Sequence, residues 1–178
     1  MRWGRSTRSP ASAVSFDEGT RRTLGELTEV GVEFIVVGGM AAIILGVPIF
    51  TQDLDIVHRR TPENVGRLLG WLLAHGAYHR LDLANRRLPP KEDALLGHGH
   101  VNLQTDLGKL DVLCELGEGE GYDEILADTV MVDNGAFTLR VLDLPRLIAV
   151  KAKAGRPKDR AVLPVLLATL DEQRRARG

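Results

Sequence analysis

The distribution of apolar and polar residues along the chain predicts alternating helices and strands. Apolar residues recur at helical spacing in the segments 17–30, 40–45, 61–75, 144–154 and 158–170. Runs that are rich in β-branched residues or that alternate in polarity predict strands at residues 32–37, 51–58, 101–105, 109–116, 129–132 and 136–141. Between them, residues 81–99 combine Arg-Arg, Pro-Pro and Gly-His-Gly, a composition that predicts an exposed, irregular stretch.

Turn signals indicate how these segments are connected. Asp133-Asn134-Gly135 is typical of a β-hairpin, and residues 106–108 predict a second tight turn. Pro164 falls inside the last predicted helix, where a proline kinks or breaks the helix. The length of 178 residues favours one domain. We expect it at residues 17–172, between a flexible N-terminal tail at 1–16 and a basic C-terminal tail at 173–178.

Composition and charge exclude several classes of protein. Lys and Arg together number 23 and Asp and Glu 24, which gives a net charge of −1 and excludes a uniformly basic nucleic-acid coat. Cys114 is the only cysteine, so neither an internal disulfide nor a multi-cysteine zinc site can form, and a reducing, cytoplasmic setting is expected. The longest apolar runs are too short to predict a membrane-spanning helix.

A glycine pair, Gly38-Gly39, connects the apolar strand at 32–37 to the helix that follows. Glycines allow the backbone to approach a ligand closely, and the N-terminus of a helix is suited to phosphate. A tight strand-to-helix turn would use glycines in the same way. The pair therefore indicates a phosphate site only in combination with other features.

Three aspartates on predicted strands are candidate metal ligands. Asp53 and Asp55 are two residues apart, so their side chains are expected on one face of a strand. Adjacent carboxylates oppose each other's ionisation, and a bound divalent cation removes that conflict. Asp111 lies in an otherwise apolar strand, where an acid is costly unless it is paired or metal-bound. Three converging carboxylates could hold the metals of a phosphoryl-transfer site; the alternative is that each faces water.

A basic segment at 150–160 is the last candidate. Its cations Lys151, Arg156 and Lys158 could neutralise a triphosphate, and Asp159 could orient one of them. The alternative is a solvated basic helix end, which the helix dipole favours at a C-terminus.

The order of these features is more informative than any one of them. In that order, and in the stretches VVGGMAAIILGVP, FTQDLDIV, GKLDVL and LIAVKAKAGRPKDR, the sequence resembles the minimal nucleotidyltransferases of the DNA polymerase β superfamily. Within that superfamily it is most similar to the AbiEii/MenT-like toxin group, over about residues 32–160. The resemblance implies an α/β (α+β) fold, in which helices flank a mixed, mainly antiparallel sheet.

The resemblance also implies an activity, which is the Mg²⁺-dependent transfer of a nucleoside monophosphate from an NTP to an acceptor hydroxyl. The acceptor would be a tRNA 3′ end, and the protein would be the toxin of a toxin–antitoxin pair with a cognate antitoxin as partner. The implied Mg²⁺ ligands are Asp53, Asp55 and Asp111, which are also implied catalytic residues together with Lys151 and Asp159. The implied nucleotide-binding residues are Gly38, Gly39, Thr51, Lys151, Arg156 and Lys158.

The sequence departs from the group's pattern at one place, and other functions are also compatible with parts of it. Relatives often carry Arg shortly before the Thr-x-Asp-x-Asp stretch, where this chain has Ile49 and Phe50. A Rossmann-type dinucleotide binder is disfavoured because G-x-G-x-x-G is absent. A catalytically inactive binding module of the same fold, and a transferase acting on a protein or a small molecule, are the remaining alternatives.

Overall fold

The computed structural model describes residues 16–117 and 119–178. Its α-helices are α1 (Glu18–Glu29), α2 (Gly38–Ile44), α3 (Pro62–Ala74), α4 (Glu92–Leu96), α5 (Tyr122–Ile125), α6 (Leu144–Ala154) and α7 (Pro157–Arg175), and a 3₁₀ turn spans Leu126–Asp128. The strands are β1 (Phe34–Val37), β2 (Leu54–His58), β3 (Tyr78–His79), β4 (His100–Thr105), β5 (Gly108–Leu113), β6 (Thr129–Asp133) and β7 (Thr138–Leu142). Of the predicted N-terminal tail at 1–16, all but Phe16 lies outside the described residues.

The strands form a single sheet in the order β3-β4-β5-β2-β1-β7-β6. The pairs β1–β2, β3–β4, β4–β5 and β6–β7 are antiparallel, whereas β1–β7 and β2–β5 are parallel. The sheet is therefore mixed and mainly antiparallel, as the sequence predicts. Both predicted hairpins form, β4–β5 and β6–β7, because their short turns leave neighbouring strands no other pairing.

The core lies on both faces of the central strands and on one face of the outer ones. All four residues of β1 are buried, as expected for a strand covered on both sides. In β4 buried and accessible residues alternate, so one face of that strand packs inward and the other remains open. The helices begin where side chains cap them: Asp17 accepts a hydrogen bond from the Thr20 amide, and Thr61 accepts one from the Asn64 amide.

Several boundaries differ from the sequence prediction. Strand β2 begins at Leu54, so Asp53 precedes the strand instead of lying on it. Helix α7 is continuous through Pro164. Proline has no amide hydrogen to donate to the carbonyl one turn earlier, but Pro164 lies on the exposed side of the helix, where water can reach that carbonyl. The stretch 81–99, predicted to be irregular, contains the short helix α4, which buries Leu95.

The C-terminal boundary also differs. The basic tail was predicted to start at residue 173, but α7 runs to Arg175. The Gln173 side-chain amide donates a hydrogen bond of 2.8 Å to the Leu45 carbonyl oxygen. This contact ties the last turn of α7 to the end of α2, which sequence periodicity alone does not reveal.

No helix in the described ranges is both long enough and apolar enough to cross a membrane.

Candidate active site

Two of the predicted aspartates lie side by side in the sheet. Strands β2 and β5 pair in parallel, and their register places Asp55 opposite Asp111. Neighbouring strands are about 4.8 Å apart, and directly paired residues point to the same face. The two carboxylates are therefore adjacent, although they are far apart in sequence. Asp53 stands exposed just before β2, with its amide donating to the Thr51 hydroxyl at 3.1 Å.

The electrostatics of Asp55 reflect this crowding. Burial of its carboxyl, followed by the negative charges of Asp111 and Asp53, raises its pKa from 3.8 to about 6. The positive charges of Lys158 and Lys151 act in the opposite direction. Negative charge is thus concentrated in one small region, which two basic helices only partly neutralise.

The glycine pair packs directly against this region. Gly38 has φ +66°, and a Cβ atom added there would come within 2.3 Å of the Asp55 Oδ2. Only glycine fits, since both the backbone conformation and the carboxylate exclude a side chain. A Cβ on Gly39 would lie 3.1 Å from the Cβ of Thr51, which places Thr51 against the same turn.

The predicted basic segment at 150–160 lies near the same carboxylates. Lys151 Nζ lies 3.2 Å from Asp159 Oδ1, and Arg156 Nε lies 2.5 Å from Asp159 Oδ2. Asp159 is only 1% exposed. Burial opposes its ionisation, but hydrogen bonds from Arg156 and Lys151 outweigh it and hold the pKa of Asp159 below its usual value. Asp159 therefore orients two cations, one on α6 and one directly before α7, while Lys158 stays exposed near Asp55.

Sequence reasoning missed Arg80. This residue follows β3, and its Nη2 lies 2.6 and 2.7 Å from the two carboxylate oxygens of Asp111. The Arg80 Nε is buried without a hydrogen-bond partner. Its chain neighbours carry no motif, so only the pairing of β3, β4 and β5 brings Arg80 to the site.

The donor set fits a hard divalent cation, with one qualification. Asp53, Asp55 and Asp111 supply carboxylate oxygens, the ligands that Mg²⁺ prefers, and the raised pKa of Asp55 reflects first its burial and then the negative charges of Asp111 and Asp53. Within residues 16–117 and 119–178, however, no group of three or more His, Cys, Asp or Glu side chains is arranged to hold a metal ion. Asp111 is paired with Arg80 instead.

A cavity of about 460 Å³ adjoins the loop that leads into Asp53. Its wall includes Ile49, Phe50 and Thr51 from that loop, and Lys109 from β5. Phe50 is 83% exposed, so a large aromatic ring stands open to solvent at this part of the wall. The cavity is large enough for part of a small molecule.

Comparison with known proteins identifies the fold. No protein-family model matches the chain, and no curated protein matches its sequence. Among solved structures, one match is the crystal structure of a Thermotoga maritima protein described as a "putative nucleotidyltransferase". The two chains are 16% identical, with a TM-score of 0.56, and the match covers 86% of this chain and 96% of the other. The chain thus has a nucleotidyltransferase-type fold.

Proposed function

We propose that this protein is a metal-dependent nucleotidyltransferase, which moves a nucleoside monophosphate from an NTP to an acceptor hydroxyl. The observation that carries the proposal is the register of β2 and β5, which brings Asp55 and Asp111 together beside Gly38. The raised pKa of Asp55 supports it, because strongly perturbed carboxylates cluster at catalytic sites. The fold shared with the Thermotoga maritima protein is consistent with this activity.

The nucleotide would bind between the Gly38-Gly39 turn and the basic helices. Lys151 and Arg156, held in place by Asp159, would face the triphosphate and offset the charge that develops on the leaving pyrophosphate. Lys158 lies close enough to lower the pKa of Asp55 and would add a further positive charge. In this assignment Asp159 is a positioning residue, since its buried carboxylate is already bound by two cations.

Asp53, Asp55 and Asp111 would hold Mg²⁺, which when bound neutralises phosphate charge and polarises the α-phosphate. Asp111 would accept the proton of the acceptor hydroxyl on a carboxylate oxygen. The bond between the acceptor oxygen and the α-phosphorus forms as the bond from that phosphorus to the β-phosphate bridging oxygen breaks. Pyrophosphate leaves, so atoms and charge balance without a further reactant.

Calorimetric titration with each NTP, with and without Mg²⁺, tests this function. We expect binding heat that requires Mg²⁺ for at least one NTP, because the carboxylates and the triphosphate repel each other without the cation. Asp53→Ala should remove the metal-dependent part of that heat. Asp171→Ala, which removes an exposed carboxylate from α7, is the matched control and should bind as the unaltered protein does. Absence of metal-dependent heat with every NTP would contradict the proposal and favour the inactive binding module.

We further propose a tRNA 3′ end as the acceptor, with the protein acting as the toxin of an AbiEii/MenT-like pair. The support is the resemblance of the GRPKD segment and its upstream Lys151 to that group. Incubation with total tRNA and labelled NTPs should label RNA. Asp53→Ala or Asp111→Ala should lower the labelling by about 10³-fold or more, in line with the several kcal/mol that a metal site contributes. Labelling of a protein band instead would favour the protein-modifying alternative.

A further inference from the structure

One face of the sheet continues outward from Asp111 as a row of accessible polar side chains. The antiparallel register of β4 and β5 places Asn102 opposite Asp111 and Gln104 opposite Lys109. The register of β3 and β4 places Tyr78 opposite Gln104. Because directly paired residues point the same way, Tyr78, Asn102, Gln104 and Lys109 lie on the face that carries Asp111. We call these four residues the outer face.

The burial pattern shows that the outer face is open. On the opposite side of the same strands, Leu103, Leu110 and Val112 are at most 1% exposed and belong to the core. On the outer face, Lys109 is exposed, and Tyr78, Asn102 and Gln104 are half-buried. Strands that build a core on one side only are expected to show this alternation. The polar side is thus a surface directly continuous with the candidate active site.

The position of this surface separates it from the nucleotide side of the site. Gly38 follows β1 and approaches Asp55 from that side of β2. The outer face lies beyond Asp111 in the other direction, on β5, β4 and β3. A molecule on the outer face would meet Asp111, the proposed proton acceptor, together with its ion-pair partner Arg80, and would not displace a nucleotide at Gly38-Gly39.

The segment that borders the outer face carries an excess of cations, although the chain as a whole has a net charge of −1 and two of those cations are ion-paired, Arg80 with Asp111 and Arg86 with Asp82. The segment 80–91, which borders β3, holds four cations and one acid, namely Arg80, Arg86, Arg87, Lys91 and Asp82. The Arg87 guanidinium is exposed and lies 5.3 Å from the centre of the Tyr78 ring. Cations beside an aromatic ring suit single-stranded nucleic acid, because the cations contact backbone phosphates and bases stack on the ring.

We propose that the outer face binds the single-stranded end of an acceptor polynucleotide and presents its terminal hydroxyl to Asp111. A base would stack on Tyr78 in place of the Arg87 guanidinium, which would turn to a backbone phosphate, and Lys109 would contact another phosphate. This inference rests on the proposed transfer reaction for its catalytic meaning. It assigns acceptor binding to the strands β3–β5 rather than to the basic C-terminal arginines.

Binding of a fluorescently labelled, single-stranded RNA of about ten nucleotides, followed by anisotropy, is the experiment. Lys109→Glu and Arg87→Glu should each weaken binding about tenfold or more. Each should also reduce the steepness of log K against log salt concentration by the amount that one phosphate contact contributes, about one. Tyr78→Ala should weaken binding about 5- to 100-fold through lost stacking, whereas Tyr78→Phe, which keeps the ring, should retain it. Arg174→Glu, an equal change of charge at the exposed end of α7, is the matched control and should bind as the unaltered protein does.

The outcomes separate this inference from the proposed function. If Lys109→Glu and Arg87→Glu bind RNA as tightly as the unaltered protein, or if Arg174→Glu loses as much affinity, the outer face is not the acceptor site. If those variants do lose RNA affinity while the unaltered protein gives no metal-dependent heat with any NTP, RNA binding is supported and the transfer reaction fails. If the unaltered protein binds no RNA but labels a protein, the polynucleotide acceptor is overturned.

Discussion

At the scale of single residues, the ion pair between Arg80 and Asp111 most changes the description of the site. A carboxylate that serves as a metal ligand or as a proton acceptor must be available, yet both oxygens of Asp111 contact one nitrogen of Arg80. A divalent cation and a guanidinium would compete for the same negative charge. Binding of a metal at Asp111 is therefore expected to require that Arg80 move or that it share the carboxylate.

This competition predicts the behaviour of Arg80→Met. Loss of a hydrogen bond between charged groups should lower the free energy of unfolding by about 1–3 kcal/mol. Added Mg²⁺ should then raise the melting temperature of Arg80→Met more than that of the unaltered protein, because the cation replaces the missing positive charge. Thermal melts with and without Mg²⁺ provide the measurement. Arg67→Met, on the exposed side of α3, is the control; equal Mg²⁺ shifts in all three proteins would contradict the competition.

At the scale of elements, the site depends on the junction between β1 and α2. The strand ends at Val37 and the helix starts at Gly38, so the chain reverses from extended to helical within one residue. The positive φ of Gly38 makes that reversal possible and brings the backbone against the Asp55 carboxylate on the neighbouring strand. One glycine thus fixes both the start of α2 and its distance from β2.

Gly38→Ala is therefore expected to destabilise the protein for two separable reasons. A left-handed conformation costs an alanine about 1–2 kcal/mol, and the contact with Asp55 Oδ2 adds a steric cost. Gly46→Ala, at the end of the same helix, is the matched control: its φ is +87°, but a Cβ there would meet nothing within 4 Å. Urea unfolding should show a larger loss for Gly38→Ala, and Asp55→Ala in the same chain should recover part of the difference. Equal losses at the two glycines would contradict a close contact with Asp55.

At the scale of the whole molecule, the candidate site lowers the free energy of unfolding. Three carboxylates are gathered where burial and mutual repulsion raise the pKa of Asp55. Such an arrangement is costly to the folded state when no cation is bound, and functional sites commonly carry this kind of cost. The chain as a whole carries a net charge of only −1, so the repulsion that lowers the free energy of unfolding is expected to come from the site itself.

The pH dependence of unfolding follows from that pKa. Well below pH 3.8, Asp55 is protonated in both the folded and the unfolded chain and contributes no difference in proton binding. As the pH rises from about 4 to about 6, the unfolded chain releases its proton first, so the free energy of unfolding falls across this range. Above about pH 6 the loss is complete and constant.

Asp55→Asn removes the titrating group and tests this linkage. The variant should be more stable than the unaltered protein by about 1–3 kcal/mol near pH 7, and the difference should vanish towards about pH 3. Urea unfolding at a series of pH values in the presence of a chelator provides the measurement. Asp171→Asn, on the exposed surface of α7, should show no such trend. A stability difference that is the same at every pH would rule out Asp55 as its cause.

The amino-acid sequence by itself determined the kinds of element and much of their order. Local spacing decides whether a segment buries one face as a helix or as a strand, so the long helices and the hairpins could be predicted from it, whereas the mixed sheet was implied by the resemblance to a known superfamily. The motifs also identified Gly38, Asp55, Asp111 and Lys151 as residues that the fold brings close together. Their catalytic and metal-binding roles stay predictions.

Only the tertiary structure decided what those residues meet. The pairing of β2 with β5, and of β5 with β4 and β3, sets Asp111 beside Asp55 and Arg80 and opens the outer face. The burial of Asp159 under Lys151 and Arg156 likewise depends on how α6 meets α7. These contacts join segments distant in sequence, and their register is set by the packing of the whole core. Local spacing carries no record of that packing, which is why Arg80 had no signal in the sequence.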